Sequence, residues 1–149
     1  MSLLSIMRQV EIFRGMNEEQ LSRVGSLGQK TVLKRGDVIC RQGDPGDNVY
    51  IIGQGQVEIV VSDSEGASHS ALYLGSGQVV GEVSLIDEGP RSASVIAAED
   101  NTVVYSITID AFTRLCREDT AIGYLLMRNL AQDLSFKLRR GNVAKPGGS

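Results

Sequence analysis

The sequence is poor in the residues from which catalytic and metal sites are most often built. It has one histidine, His69, and two cysteines, Cys40 and Cys116, which are far apart and not in a CxxC spacing. A metal enzyme of the small β-barrel type needs a cluster of histidine and carboxylate ligands, and a hydrolytic triad needs a histidine beside a nucleophile. We therefore expect no catalytic residues, no metal and no cofactor, and we place His69 on the surface.

Other features that define common protein classes are also missing. No stretch approaches the roughly 18 apolar residues of a membrane span, and the N-terminus lacks the pattern of a secretory signal. The net charge is −3, which argues against a general nucleic-acid binder. The basic cluster Lys137, Arg139 and Arg140 falls at a helix C-terminus, where the helix dipole favours cations, and no helix-turn-helix follows it. We expect a cytoplasmic protein with reduced thiols that contacts neither membrane nor DNA.

Helices are predicted at both ends of this 149-residue chain, which is long enough for one domain with a buried core. Asn17 followed by Gln20 three residues later is a capping-box pattern, which predicts the start of a helix. Near the other end, Asp110 is predicted to cap a first helix. A second, long helix over about 120–140 is predicted to stop at Gly141.

The middle of the chain changes to the alternating pattern of β-strands. Short segments rich in β-branched residues are separated by glycine and aspartate, as at Gly36-Asp37. Strands at this spacing indicate a sandwich or barrel. The predicted strands are 30–34, 37–41, 48–52, 56–62, 69–74, 92–98 and 102–107.

The most informative stretch runs from Gly81 to Val95. If residues 83–86 form a helical turn, its free N–H groups can bind an anion, and Arg91 can add a forked, charge-assisted contact. Glu82 cannot bind the anion, but its carboxylate can accept a hydrogen bond from a hydroxyl group. A ligand with one phosphate and a neighbouring sugar hydroxyl would satisfy both side chains. The alternative is that Glu82 and Arg91 form an ion pair across a turn.

This stretch resembles the phosphate-binding cassette of cyclic nucleotide-binding domains. The cassette typically reads Gly-Glu-x-Ala-Leu and, after a few residues, Pro-Arg-x-Ala-Thr; here the two halves are residues 81–85 and 90–94. Ser84 stands where the family usually has alanine or glycine, and Ser94 where threonine is common. Both replacements are small and leave the anion site intact. The spacing of the two charged residues resembles the kinase-regulatory and ion-channel versions.

The resemblance extends over about residues 10–140, since the run from Lys34 to Asp47 resembles the entry into the β-roll of these domains. It implies a mainly β fold with flanking helices, namely a double-stranded β-helix or jelly-roll-like β-roll with N-terminal helices and a C-terminal helical pair. All of it would be one cyclic nucleotide-binding domain. The expected parts are N-terminal helices at 1–28, the β-roll at 29–108 with the cassette at 81–95, C-terminal helices at 109–141 and a disordered tail at 142–149.

The resemblance also implies a role for each site residue. Glu82 would accept a hydrogen bond from the ribose 2′-hydroxyl, and Arg91 would pair with the cyclic phosphate. Backbone N–H groups around Val83, Ser84 and Ala93 would surround the phosphate oxygens. The hydroxyl that follows the arginine would reach the phosphate or the base. The implied ligand-binding residues are Gly81, Glu82, Val83, Ser84, Arg91, Ser92 and Ala93.

The long helix departs from one member of the family. Catabolite activators carry a Thr-Ser pair that meets the base, and this chain has Lys137-Leu138 at that place. Arg128 and Asn129 are other candidates for base contact on the same helix. An apolar ridge along this helix could cover the barrel, a ligand or a second subunit. The ridge consists of Ile122, Leu126, Leu130, Leu134 and Leu138.

The implied function is a sensor that binds a cyclic nucleotide, cAMP rather than cGMP, and signals by repositioning its C-terminal helix. The expected partners are the cyclic nucleotide, a downstream protein or fused effector domain, and a second copy of the chain bound through that helix. The alternative is the same fold used as a protein-interaction scaffold without nucleotide. A scaffold, however, has no need for Glu82 and Arg91 together.

Overall fold

Two groups of helices flank a set of β-strands in the computed structural model, which describes residues 2–87 and 89–144, the last four without their side chains. The strands are β1 Gln29–Leu33, β2 Val38–Cys40, β3 Asn48–Gln54, β4 Gln56–Ser62, β5 Ser68–Gly75, β6 Val79–Val80, β7 Ser94–Ala97 and β8 Thr102–Thr108. The helices are α1 Leu3–Met7, α2 Glu18–Gly25, α3 Ser84–Asp87, α4 Ile109–Glu118 and α5 Thr120–Ala144, with a 3₁₀ helix at Glu11–Phe13.

The strands form two antiparallel four-stranded sheets, with the orders β1-β8-β3-β6 and β2-β7-β4-β5. Apolar side chains of both sheets meet between them, because alternate residues of each strand point to the same face. This confirms the predicted β-roll with flanking helices. The buried residues between the sheets are Cys40, Ile52, Val57, Val95 and Val104.

The predicted strands match the observed ones closely except around the cassette. β6, only Val79–Val80, was not predicted, because two residues are too few to show an alternating pattern. β7 begins at Ser94 rather than at residue 92, and Arg91 instead pairs its backbone with the β2–β3 loop. The N–H of Arg91 donates to the Asp44 carbonyl, and the Arg91 carbonyl accepts from Gly43 N–H, both at 2.8 Å. Residues 91–93 therefore belong to a loop, and their side chains need not point alternately to opposite faces as they would in a strand.

The helices pack on the β1-β8-β3-β6 sheet and form a second buried cluster. The capping box at Asn17 and Gln20 is confirmed, with both reciprocal hydrogen bonds present at 2.9 Å. The rings of Phe13 and Phe112 stack with their centroids 6.3 Å apart, which joins the N-terminal segment to α4. None of the helices in the described ranges is both long and apolar enough to cross a membrane.

Two predicted helix boundaries are wrong. The cap of α4 is Thr108, whose hydroxyl accepts from Ala111 N–H at 3.1 Å, and not Asp110, which lies in the first turn. β8 runs directly into α4, so the last strand residue also caps the helix. α5 continues through Gly141 to Ala144, because an interior glycine costs only about 1 kcal/mol relative to alanine and does not by itself end a helix. Of the disordered tail predicted at 142–149, residues 142–144 belong to this helix instead, and residues 145–149 lie outside the described residues.

The N-terminal segment anchors the middle of α5. Asn129, 3% exposed, donates from its amide to the carbonyls of Ile12 and Arg14, both at 2.9 Å. The Arg14 guanidinium contacts Gln132 at 2.9 Å and Asp133 at 3.3 Å. The apolar ridge packs on the chain's own domain only as far as this anchor. Its residues Ile122, Leu126 and Leu130 are buried, Leu134 is partly buried, and Leu138 is 67% exposed.

Candidate ligand-binding site

A cavity of about 470 Å³ opens on the β2-β7-β4-β5 sheet, beside α3. Ile59 and Val95 contribute apolar surface from the strands, while Glu82 and Arg91 bring opposite charges from the cassette. Pockets of this size, apolar with a few converging polar groups, are typical small-molecule sites. The cavity brings together all the ligand-binding residues predicted from the sequence, namely Gly81, Glu82, Val83, Ser84, Arg91, Ser92 and Ala93.

Arg91 is an arginine held inside this cavity and only partly satisfied there. Its side chain is 7% exposed, and one terminal nitrogen donates to the Asn48 carbonyl. The guanidinium lies over the Tyr50 ring, 5.5 Å from its centroid. The Nε atom is buried and has no hydrogen-bond partner among residues 2–87 and 89–144. A buried donor without an acceptor is costly, so an anion that reached this nitrogen would bind favourably.

Gly81 is required for this position of the arginine. Its φ is 86°, a backbone conformation that side-chain-bearing residues rarely adopt. A Cβ added at Gly81 would overlap the Arg91 guanidinium and lie 2.8 Å from the Asn48 carbonyl oxygen. The glycine of the cassette therefore makes room for the arginine behind it.

Backbone donors border the same space. Within the described part of the chain, the N–H groups of Val83 and Ala93 have no recorded partner, whereas Ser84 N–H lies 3.2 Å from the Gly81 carbonyl. Gly46, in the β2–β3 loop, packs so closely on α3 that an added Cβ would lie 2.5 Å from the Gly89 carbonyl. The loop thus fixes the position of α3 and of the N–H groups around it.

Glu82 is a half-buried carboxylate whose charge is disfavoured by its surroundings. Burial raises the pKa of Glu82 above its ordinary value, and Lys137 on α5 opposes that rise more strongly than Arg91 does. No ion pair joins Glu82 to Arg91 in residues 2–87 and 89–144, so the alternative of a simple ion pair across the turn does not hold. The carboxylate remains available as a hydrogen-bond acceptor on the cavity wall.

A second cavity, also of about 470 Å³, adjoins the first between β5, β6 and α5. Asp133, Phe136 and Lys137 line it from the helix, and Glu11 lines it from the 3₁₀ helix. The two cavities share a wall made of Leu72, Leu74, Val79, Glu82 and Val83. A ligand that fills the first cavity can therefore extend to contact α5.

Of the candidates for base contact on α5, Lys137 lines the second cavity. Asn129 is buried in the contact with residues 12–14 and has a packing role, while Arg128 is exposed and lines neither cavity. Phe136 was not singled out from the sequence, although it lines the second cavity. Phe136 does not belong to the apolar ridge, which repeats every four residues from Ile122 to Leu138.

The two cysteines and the histidine differ in burial. Cys40 and Cys116 are both free, and burial raises the pKa of both thiols. Cys40 also lines the first cavity, where the charge of Arg91 partly offsets the effect of burial on its pKa. His69 is exposed on β5. Within the described ranges, no group of three histidine, cysteine or carboxylate side chains could hold a metal ion.

Comparison with known proteins agrees with this geometry. The family model of the cyclic nucleotide-binding domain matches residues 30–119. The cyclic AMP receptor protein of Thermus thermophilus is 31% identical over 137 residues, which are 92% of this chain and 61% of that protein. The cAMP-dependent protein kinase regulatory subunit of Hypocrea atroviridis is 25% identical over 131 residues, which are 83% of this chain and 28% of that protein.

A solved structure shows the same fold. The N-terminal domain of a transcriptional regulator from Streptomyces coelicolor A3(2) superposes with a TM-score of 0.81 at 24% identity, covering 89% of this chain and 94% of that domain. The chain thus corresponds to a part of the two longer relatives, three fifths of the first and just over a quarter of the second. Because the family model spans well over half of its residues, this chain belongs to the cyclic nucleotide-binding domain family.

Proposed function

We propose that this chain is a sensor that binds a cyclic nucleotide, cAMP in preference to cGMP, in the first cavity. The observation that carries the proposal is that Arg91, a buried arginine whose Nε has no hydrogen-bond partner in residues 2–87 and 89–144, lines the same cavity as Glu82. The cavity thus offers a cation for a phosphate and an acceptor for a hydroxyl, side by side. The preference for cAMP rests on the two relatives reported above, both of which are cAMP proteins by name.

The cyclic phosphate would bind beside the Arg91 guanidinium and supply the acceptor that its Nε lacks within the described residues. Arg91 would turn from the Asn48 carbonyl to form a charge-assisted contact with a phosphate oxygen. The N–H groups of Val83 and Ala93 would donate to the other oxygens, with Ser84 N–H as a shared donor. The Ser92 hydroxyl, exposed at the cavity rim, would add a further contact.

The sugar and base would connect this site to α5. Glu82 would accept from the ribose 2′-hydroxyl, and its position on the wall shared by both cavities would direct the base toward the second cavity. There the base would meet Phe136 and Lys137 of α5. A ligand that contacts the helix in one placement and not in another shifts the population between the two placements by its difference in affinity.

Another domain or protein would respond to the placement of α5. The relatives reported above are longer than this chain, so a fused effector domain or a separate downstream protein would sense the placement of α5. The exposed side chains of Tyr124, Met127 and Leu138 on the same helix would suit a second copy of the chain. In this scheme the chain binds and transmits, and it catalyses no reaction.

Titration calorimetry with cAMP, cGMP and 5′-AMP tests the proposal. We expect one saturable site, with cAMP tighter than cGMP and both much tighter than 5′-AMP, whose open phosphate carries a different shape and charge. Tighter binding of cGMP would overturn the preference alone. No binding of either cyclic nucleotide at millimolar concentration would overturn the sensor and favour the scaffold alternative.

A further inference from the structure

Charged side chains from three parts of the chain meet at the second cavity. Glu82 comes from the cassette, Asp133 and Lys137 come from α5, and Glu11 comes from the 3₁₀ helix. Three carboxylates and one ammonium therefore surround a single cavity. The contacts of Arg14 show which of the carboxylates are already paired.

Arg14 is the partner of two of the three carboxylates. Its Nη1 lies 3.4 Å from Glu11 Oε2 and 3.3 Å from Asp133 Oδ1. Asp133 is four residues before Lys137 on the helix and would otherwise be its natural partner. With Asp133 held by Arg14, Lys137 and Glu82 are left as the opposite charges of the cavity, and neither forms a close ion pair within residues 2–87 and 89–144.

Arg91 lowers the pKa of Glu82 less than Lys137 does. The guanidinium of Arg91 is turned to the Asn48 carbonyl and the Tyr50 ring. In a complex it would be neutralised by the bound phosphate. An ammonium on the opposite side of the second cavity can act on Glu82 in both states.

We propose that Lys137 is a positioning residue for the ligand site: its ammonium, across the second cavity, keeps Glu82 ionised as the acceptor for a ligand hydroxyl. The role of Glu82 toward a ligand rests on the function proposed above, whereas the pairing of the two charges does not. Because Lys137 is on α5, the placement of that helix determines how strongly its ammonium favours the ionised form of Glu82. The helix and the hydroxyl acceptor are thereby coupled.

The charges around Glu82 shift its pKa in the directions that this arrangement predicts. Burial raises the pKa of Glu82; Lys137 is the strongest influence that lowers it again, Arg91 is a weaker one, and Asp133 acts in the opposite direction. Removing Lys137 therefore raises the pKa of Glu82 further. A ligand that needs the ionised carboxylate then loses affinity at a higher pH than it does with the unaltered protein.

Lys137→Met tests the pairing in the full chain, because methionine keeps most of the apolar stem and removes the charge. Arg139→Met is the matched control: it removes one positive charge from an exposed residue of the same helix that lines neither cavity. Carboxyl-carbon NMR of the ligand-free protein follows the titration of Glu82. We expect its pKa to rise in Lys137→Met and to stay unchanged in Arg139→Met. An unchanged pKa in Lys137→Met, or an equal rise in both variants, overturns the proposal.

Affinity for cAMP measured against pH tests the consequence for binding. At pH 8 any difference in affinity between the two variants reflects the direct contact of Lys137 with the base, and on going to pH 5 Lys137→Met should lose about a further two- to fivefold relative to Arg139→Met. A constant ratio at all pH values would show that Lys137 does not act through Glu82, and would overturn its role at the site. If the unaltered protein binds no cyclic nucleotide, the proposed function fails, while the titration of Glu82 still decides whether the two charges are paired.

Discussion

The two charged residues of the cassette both sit where folding alone would not place them. Arg91 is 7% exposed with an unpartnered Nε, and Glu82 has its charge disfavoured by burial. Each arrangement costs stability in the free protein, and each becomes favourable when a ligand supplies the missing partner. Such local conflicts are expected at functional sites rather than in the core.

Arg91→Ala should weaken cyclic nucleotide binding far more than it weakens folding. A charge-assisted hydrogen bond contributes about 1.5–3 kcal/mol, which is a loss of about ten- to 150-fold in affinity. Arg91→Lys should lose most of the same affinity, because an ammonium cannot reproduce the fork of the guanidinium. Calorimetry and thermal unfolding of the same samples separate binding from folding.

Arg41→Ala is the control, since Arg41 is exposed and lines neither cavity. It should leave both affinity and melting temperature nearly unchanged. If Arg91→Ala instead prevents folding while the folded fraction binds normally, Arg91 is a structural residue that holds the Asn48 carbonyl and not the phosphate contact.

Glu82→Gln should stabilise the ligand-free protein near neutral pH. The pKa of Glu82 is raised by folding, so the folded state binds the proton more tightly than the unfolded chain does. The stability that this contributes is fully present below the ordinary pKa and is lost as pH rises through the raised value. The neutral glutamine escapes that loss, and we expect a gain in the free energy of unfolding on the order of 1 kcal/mol or less at pH 7.

Denaturant unfolding at pH 7 and near pH 4 checks this prediction. The gain should shrink toward zero at the lower pH, where Glu82 itself takes up the proton. A difference between the two proteins that does not change with pH would mean that the charge of Glu82 is not the cause.

The contacts between α5 and the N-terminal segment divide the helix into two parts. The part up to these contacts is packed on the domain, and the part beyond them is more exposed. Asn129 and Arg14 tie the helix to residues 11–14, while Leu138, two turns further on, is exposed. Lys137 and Phe136 lie just beyond the anchor and line the second cavity. If α5 responds to a ligand as proposed, we expect the part beyond Asp133 to be the part that moves.

Asn129→Ala should destabilise the domain by about 2 kcal/mol, because it leaves the buried carbonyls of Ile12 and Arg14 without a donor. For a chain of this size that corresponds to a fall of roughly 4–8 °C in melting temperature. Gln132→Ala is the control on the same helix, since its exposed amide makes one contact with Arg14 and should cost less than about 0.5 kcal/mol. Equal melting temperatures for the two variants would show that this anchor contributes little.

Local patterns in the sequence predict most elements but not the contacts between distant ones. The strand from Gln56 to Ser62 and the capping box at Asn17 follow directly from side-chain alternation and cap chemistry. Thr108 as a cap was missed because a strand and a helix share that residue without a turn. The approach of Arg14 to Asp133 joins residues 119 positions apart, and no local pattern records it. The position of Lys137 beside the cavity of Glu82 depends on the same long-range packing.

For the whole molecule, the cassette could be predicted because its residues are close in sequence, and the cavity gathers the seven ligand-binding residues predicted within it. Because the two cavities share a wall, a ligand bound as proposed in the first cavity would lie next to the cavity lined by α5. By linkage, a ligand that stabilises one placement of the helix binds more tightly when something else stabilises that placement. The size of this coupling depends on the difference in affinity between the two placements.

An amide-shift titration of the isotope-labelled chain with cAMP decides whether a cyclic nucleotide binds through Arg91 and Glu82 in the first cavity. We expect saturable shifts concentrated in the two halves of the cassette, 81–85 and 90–94, with a second group in α5 beyond Asp133. The same titration of Arg91→Ala should show little change at equal ligand concentration. An absence of shifts at millimolar cAMP, or saturable shifts confined to residues that line neither cavity, would contradict the account.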